Sequence, residues 1–391
     1  MRIVQSLRTI RLSDGGPPLS LIDMCQSFHE RGHSVAVLSP FPDDVPSGWL
    51  VGEGPSVVQV GVRSATWGLL TREGLLRARE EIRGADILHL HMPWDPLNLQ
   101  LAGIARSLKV PYCVSIRGTL DDWAMAQKSF KKRLFMSLLG RRLLESAAFV
   151  HCTAEGEQMQ SERWYPRGRS VVIPNLLDMR PFRTMPSPSL ADQEFGIPAG
   201  APVLLFMSRI HPGKGLEYVI RAMPAIVAQH PNVLLLVAGG GNAEFIQVIR
   251  NEIERAGVGA NVRLVGFVSG ESKVALLCRA SVLVLASSHE NFGNAVFQAA
   301  ACGTAVIITR QVETWRELWA AKVATVVMQD PWEIGVVTTN QLSMGTTERS
   351  IQSERIRQWT LNFFGGDRVV CMFEDAYRRA AGSTIRHNQP Q

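Results

Sequence analysis

Val282-Leu283-Val284-Leu285-Ala286-Ser287-Ser288-His289-Glu290-Asn291-Phe292-Gly293-Asn294-Ala295-Val296-Phe297-Gln298-Ala299-Ala300-Ala301-Cys302-Gly303-Thr304-Ala305-Val306-Ile307-Ile308 contains a whole folding unit in 27 residues. Its first four residues are apolar throughout, as a strand buried on both faces requires. A polar loop carries Glu290, and a helix opens near Gly293, where a glycine permits close backbone approach. The run Ala305-Val306-Ile307-Ile308 then returns to strand character. Strand, helix and strand in this order predict a βαβ unit and a parallel sheet.

The same alternation extends in both directions. Val203–Met207, Asn232–Val237, Val262–Val265 and Ala324–Val327 supply further strands of one sheet. Upstream, Arg2–Gln5, Ser34–Leu38, Ile87–His91, Tyr112–Ile116, Phe149–Cys152 and Val171–Ile173 supply another, with helical stretches such as 19–31 between them. Between the two sets, residues 176–202 hold Pro181, Pro186, Pro188, Pro198 and Pro202 with little periodicity, which reads as a linker. The expected architecture is therefore α/β, with two Rossmann-like, doubly wound domains facing a central cleft. Residues 1–175 form the first domain and 203–365 the second, and a last helix within 366–391 packs back on the first before a short tail. Ligands of such sheets bind beyond the carboxyl ends of the strands.

Composition fits this. The 391 residues are 46% hydrophobic and 19% charged, the balance of a packed globular protein. No apolar run approaches the roughly 20 residues that span a bilayer. Met1-Arg2-Ile3-Val4 enters a strand without the apolar core of a signal peptide. Six scattered cysteines show no CxxC pairing, which argues against a zinc site or disulfide framework and for a reducing, cytoplasmic setting. The tryptophans and methionines are read as core. Part of the net charge of +6 is concentrated in 128–142, where Lys128, Lys131, Lys132, Arg133, Arg141 and Arg142 interleave with Phe130, Leu134, Phe135, Leu138, Leu139 and Leu143. Such a segment is either an ordinary helix with a solvated basic face or a helix lying on an anionic membrane, at the inner face of the membrane for a cytoplasmic protein. No aromatic platform or motif for nucleic acid is present.

Two stretches carry chemistry. At the start of the helix near Gly293, unpaired N–H groups and the positive end of the helix dipole suit a diphosphate. Glu290, just before them, is placed to accept hydrogen bonds from a polyol, and Gln298 can face the same side. Met207-Ser208-Arg209-Ile210-His211-Pro212-Gly213-Lys214-Gly215 follows the first strand of the second domain, so Arg209 and Lys214 flank a Pro-Gly turn at its carboxyl end. Fixed cations there stabilise a departing diphosphate without a metal. Each stretch taken alone is also compatible with an ordinary solvated turn.

Together these stretches resemble the retaining glycosyltransferases of GT-B fold, of the glycosyltransferase family 4 (group 1) type. The Gly15-Gly16 loop, the Arg31-Gly32-His33 turn, Ile173-Pro174-Asn175 and Gly266-Phe267-Val268 add to the resemblance, which covers most of the chain. It implies that Arg209 and Lys214 hold the donor phosphates and that Glu290 hydrogen-bonds the donor sugar. The amides of Asn291, Phe292, Gly293 and Asn294 are implied to touch sugar or phosphate, Gly16 to approach the phosphates, and Gly266, Phe267 and Val268 to border the base. It further implies a UDP- or GDP-linked sugar donor as co-substrate, no resident metal or other cofactor, and retention of configuration. The implied acceptor is a glycan or a lipid-linked saccharide in cell-surface or exopolysaccharide assembly. Two other readings share the fold: a nucleotide-sugar 2-epimerase and a catalytically degenerate binding or scaffold subunit.

Two positions depart from the family pattern. Gln298 stands where a second glutamate usually binds the ribose, which removes charge assistance worth about 1 kcal/mol. Arg117 stands where many members carry a histidine near the donor sugar, and it either contacts donor or acceptor anions or serves a structural role. His91 lines the acceptor side or is a packed histidine. Asp121-Asp122 is no DxD motif and reads as a solvated helix start.

Overall fold

The computed structural model describes residues 1–64, 68–127, 129–365 and 367–386, with the side chains of 383–386 excepted. The chain divides into two compact units, Met1–Leu177 with Asp367–Gln391 and Asp178–Gly366. In the first, seven parallel strands are described: β1 (Arg2–Ser6), β2 (Ser34–Ser39), β3 (Ser56–Gln59), β4 (Ile87–His91), β5 (Tyr112–Ser115), β6 (Phe149–Cys152) and β7 (Ser170–Val172). Their order is β3-β2-β1-β4-β5-β6-β7. In the second, β8 (Val203–Met207), β9 (Leu234–Ala238), β10 (Val262–Gly266), β11 (Val282–Leu285), β12 (Ala305–Thr309) and β13 (Ala324–Val327) run in the order β10-β9-β8-β11-β12-β13. Each sheet thus reverses its winding once, between β1 and β4 and between β8 and β11. Loops at the carboxyl ends of those strand pairs diverge and leave room for a ligand.

The central strands are continuous apolar runs because helices cover both faces. Val203 to Phe206 and Val282 to Leu285 are all buried. β3 is different. Ser56-Val57-Val58-Gln59 is an edge strand with only partly buried valines, too short and polar to stand out in the sequence.

Residues 176–202 are not an extended linker. Ser189–Phe195 is a helix that ends on Gly196 in the left-handed conformation. Phe182, Ala191, Ile197 and Ala201 are buried, and Asp192 accepts a 2.6 Å bond from Arg279 Nε. Of the prolines that suggested a linker, Pro181 stands in the first turn of a short helix and Pro188 caps Ser189–Phe195, while Pro186, Pro198 and Pro202 lie between elements, where a missing N–H breaks no helix or sheet bond.

Arg368–Arg386 is a helix of the first unit, and a three-residue turn holds it there. Arg31 Nε donates to Glu374 Oε1 at 2.6 Å, His33 Nε2 lies 2.8 Å from the same oxygen, and Arg31 also pairs with Asp367. Arg31-Gly32-His33 is therefore a clamp on the C-terminal helix. Tryptophans divide between core and surface: Trp49 is buried, whereas Trp319 and Trp332 are exposed.

Candidate active site

The site in the second unit is built where β8 and β11 part. Backbone contacts first bring their loops together. Gly215 (φ +70°) packs so closely on the β11 loop that a Cβ would lie 1.9 Å from the Ala286 carbonyl oxygen. Ser288 N donates to the Gly213 carbonyl at 3.1 Å. On the other side, Glu290 N donates to Gln311 O and Glu290 O accepts from Glu313 N, which fixes the Glu290 backbone against the loop after β12. With its main chain held from both flanks, the Glu290 side chain meets Lys214. Lys214 Nζ donates to Glu290 Oε2 at 2.7 Å, and both side chains are mostly buried.

Arg209 lies two residues beyond β8, is exposed, and makes no hydrogen bond or ion pair among the described residues. It belongs to the same charge cluster. His211, whose Nδ1 accepts from Gly213 N, is held below the ordinary imidazole pKa by burial, then by Arg209 and Lys214. This end of the loop is cationic, with one carboxylate at its centre. The structure joins Lys214 to Glu290 directly and leaves Arg209 as an exposed cation on the loop that carries Lys214.

Past Glu290, Gly293 (φ +80°) caps the helix Asn294–Ala301. Phe292 is buried and stacks on Phe297 with ring centroids 4.5 Å apart, so its ring anchors the loop and only its backbone is left for a ligand. Asn291 Oδ1 and Ser287 Oγ are buried without a hydrogen-bond partner among the described residues. Both atoms belong to the loop that carries Glu290, and buried polar atoms of this kind are normally hydrogen-bonded. Gln298 is on the same helix and nine-tenths buried, not an open side chain. Gly266 ends β10 with φ +77°, and the following Phe267 is exposed.

Three glycines escaped the sequence reading. Gly239-Gly240-Gly241 follows β9, and a Cβ at Gly239 would lie 1.9 Å from Ser208 O. Gly239 N donates to Gly266 O at 2.7 Å, and Ile210 N to Gly240 O at 2.7 Å. The run lets the ends of β8, β9 and β10 close on one another. A triple glycine directly after a buried strand was the available signal.

In the first unit the loop glycine with special geometry is Gly15 (φ 97°), the cap of the helix Gly16–Glu30, and Gly16 is simply the first helical residue. His91 is not on an open surface. It is buried, with Nε2 2.8 Å from Gln5 Oε1 and Nδ1 accepting from Arg117 Nε at 3.1 Å. Burial, followed by neighbouring positive charge, drives His91 well below the ordinary imidazole range. Arg117 is buried in the left-handed backbone region (φ 50°) and its Nη1 donates to Asn175 Oδ1 at 3.2 Å. Asp121 does start a helix, accepting from Ala124 N at 2.7 Å, but it is buried and not solvated.

The basic segment keeps its exposure. Ser129–Phe135 continues through a π turn at Met136–Gly140 into Arg141–Glu145. Phe130, Leu134, Leu138 and Leu139 are exposed among Lys131, Arg133, Arg141 and Arg142, while Met136, Leu143 and Leu144 pack inward. Lys128 lies outside the described residues. No described helix is long and apolar enough to cross a membrane.

Two winding-reversed parallel sheets, one carrying a lysine–glutamate pair at its switch point, define a two-domain Rossmann-like protein. Comparison with known proteins places it further. The family model for glycosyl transferases group 1 matches residues 190–334, and that for the glycosyl transferase 4-like domain matches 15–176. Phosphatidyl-myo-inositol mannosyltransferase of Mycolicibacterium smegmatis is 25% identical over 364 residues, covering 88% of this chain and 86% of that protein. Glycogen synthase of Mycobacterium tuberculosis is 27% identical, covering 77% of each. Among solved structures, Anabaena HepE in complex with UDP superposes with a TM-score of 0.78 at 16% identity, covering 99% of this chain and 100% of that one. Sucrose-phosphate synthase from Thermosynechococcus elongatus gives 0.78 at 17% identity, covering 98% and 100%. The chain belongs to the group 1 glycosyltransferases of GT-B fold, and its activity is glycosyl transfer.

Proposed function

We propose that the protein transfers a hexose-type sugar from a UDP- or GDP-linked donor to a glycan or lipid-linked saccharide, with retention of configuration. The observation that carries this reading is the Lys214–Glu290 pair, at 2.7 Å, beside the exposed Arg209 and the start of the Asn294–Ala301 helix. Cations, helix amides and a carboxylate in one place answer the parts of a nucleotide sugar: diphosphate to the cations and amides, sugar hydroxyls to Glu290. Solved structures of similar fold hold UDP and UDP-glucose, which supports a donor of this class.

In this mechanism Arg209 and Lys214 neutralise the diphosphate as the bond between C1 and its oxygen breaks. The acceptor oxygen bonds to C1 on the same face, and its proton passes to the departing phosphate. Fixed cations that need no reorganisation at the transition state supply the stabilisation, so no resident metal or other cofactor is invoked. The cell-surface or exopolysaccharide setting of the acceptor follows from the family resemblance. Slow release of nucleoside diphosphate from a donor panel without acceptor, abolished by Lys214→Ala, tests the reading. No turnover with any donor overturns it.

The exposed Phe130, Leu134, Leu138 and Leu139 among basic residues support peripheral attachment to an anionic membrane. Apolar side chains enter the interface while the cations stay at headgroup level.

A further inference from the structure

Arg117 stands at one end of a hydrogen-bond chain whose direction is fixed. At the far end the Ile173 carbonyl only accepts, so His151 Nε2, 2.7 Å away, carries the proton. His151 is neutral, burial pushing it down to about 3, and its Nδ1 therefore accepts from the Ser115 hydroxyl at 2.6 Å. Ser115 Oγ in turn accepts from His89 Nε2, and His89 Nδ1 from the Tyr377 hydroxyl, both at 2.6 Å. From the other end, Arg117 Nε donates to His91 Nδ1, so His91 Nε2 donates to Gln5 Oε1. The two directions meet without conflict at Gln5, whose Nε2 faces the Tyr377 oxygen at 3.5 Å. All three histidines are Nε2–H tautomers, and among the described residues the arginine is bound only to neutral groups, His91 and Asn175.

What this leaves is a buried cation with one free edge. Arg117 is 8% exposed, and its Nη2 is sealed from solvent with no hydrogen-bond partner among the described residues. No carboxylate lies within ion-pair distance of it among the described residues. The nearby acid Glu157 spends its oxygens on Gly118 N, Thr153 N and Thr153 Oγ1. Burial brings the guanidinium down to about 10, which still leaves it charged at neutral pH. A charged, desolvated N–H pair without an acceptor is a costly arrangement unless something fills it. Its position suits a ligand. Arg117 follows β5 and Met92 follows β4, and both are non-glycine residues with positive φ at the carboxyl ends of adjacent strands.

We propose that the Nη2 edge of Arg117 is an oxyanion-binding site, which takes a phosphate or carboxylate group of the acceptor and is aimed by the Gln5–His91 arm of the chain. Planar guanidinium donors match such oxyanions. The site makes the acceptor of the proposed reaction an acidic or phosphorylated saccharide. Assignment of the ligand as acceptor rests on the transferase reading; the anion site itself does not.

The test is calorimetric titration of the full chain in an Arg209→Met/Lys214→Met background, which removes the cations of the second unit. The probes are inorganic phosphate, glucuronate and glucose. We expect one of the two anions at least to bind, Arg117→Gln to weaken it at least tenfold, and glucose to be indifferent to the substitution. Phosphate-only and glucuronate-only binding distinguish a phosphorylated from an acidic-sugar acceptor. Failure of both anions to bind, or equal affinity with and without Arg117, overturns the proposal and leaves a trapped water as the partner of Nη2. Should Arg117→Gln prove unfolded by circular dichroism, Arg117→Lys takes its place: a point cation without the fork binds at least threefold weaker, and unchanged affinity is again decisive against the site. Donor hydrolysis by the wild type, measured separately, reports on the transferase reading alone.

Discussion

Lys214 Nζ and Glu290 Oε2 are 2.7 Å apart, although 75 residues of chain separate the two positions. Without ligand, each neutralises the other in a mostly buried setting. In the proposed reaction a diphosphate would take over the lysine and free the carboxylate for the sugar, exchanging one ion pair for another at little net electrostatic cost. Lys214→Met is expected to lower donor hydrolysis about 100- to 1000-fold and to destabilise the fold by leaving Glu290 unpaired. Adding Glu290→Gln should recover the thermal midpoint without recovering activity. Recovery of both would show that the pair is structural.

Gly215 tests how closely the two loops must meet. Gly215→Ala places a Cβ 1.9 Å from Ala286 O in a left-handed residue. A loss of about 1–3 kcal/mol in denaturant unfolding is expected, with donor affinity falling alongside. Wild-type stability in that variant would mean that the loops move apart freely.

Gln298→Glu should leave UDP or GDP affinity unchanged or raise it up to roughly tenfold, the gain from a charge-assisted bond to a ribose hydroxyl. Isothermal titration reads this directly. A large loss of affinity would place Gln298 away from the ribose.

The clamp on the C-terminal helix predicts a pH signature. Glu374 is held at about 2 against an ordinary value of 4.5, first by the bond from Arg31, with a smaller contribution from His33. Its folded value is depressed, so its stabilisation is complete above about 4.5 and is lost as pH falls towards 2. Unfolding midpoints of wild type and Glu374→Gln should differ by a constant amount above pH 5 and converge by pH 2. A difference independent of pH would remove the carboxylate from the clamp.

Membrane attachment is tested by flotation with vesicles containing anionic lipid. Phe130→Ser/Leu138→Ser should reduce the bound fraction several-fold at unchanged thermal stability, since both side chains are exposed. Each exposed apolar side chain that enters the interface contributes about 1.5–3 kcal/mol if fully buried. Indifference of the wild type to anionic lipid would end the idea.

The sequence by itself determined the two-sheet α/β architecture, because strands such as Val203–Met207 and Val282–Leu285 are continuous apolar runs between helical segments. It also determined which charged residues follow β8 and β11, since sheet connectivity carries them to the carboxyl ends. Local pattern says nothing about close approach across the chain, and there the tertiary structure decided. It folded 178–202 onto the second unit, turned the Arg31-Gly32-His33 motif into a clamp, drew Gly239-Gly240-Gly241 into the site, and buried His91 and Arg117 in one directed network. Those outcomes depend on which groups are desolvated together. Desolvation is a property of packing between segments distant in the chain, and no window of sequence contains it.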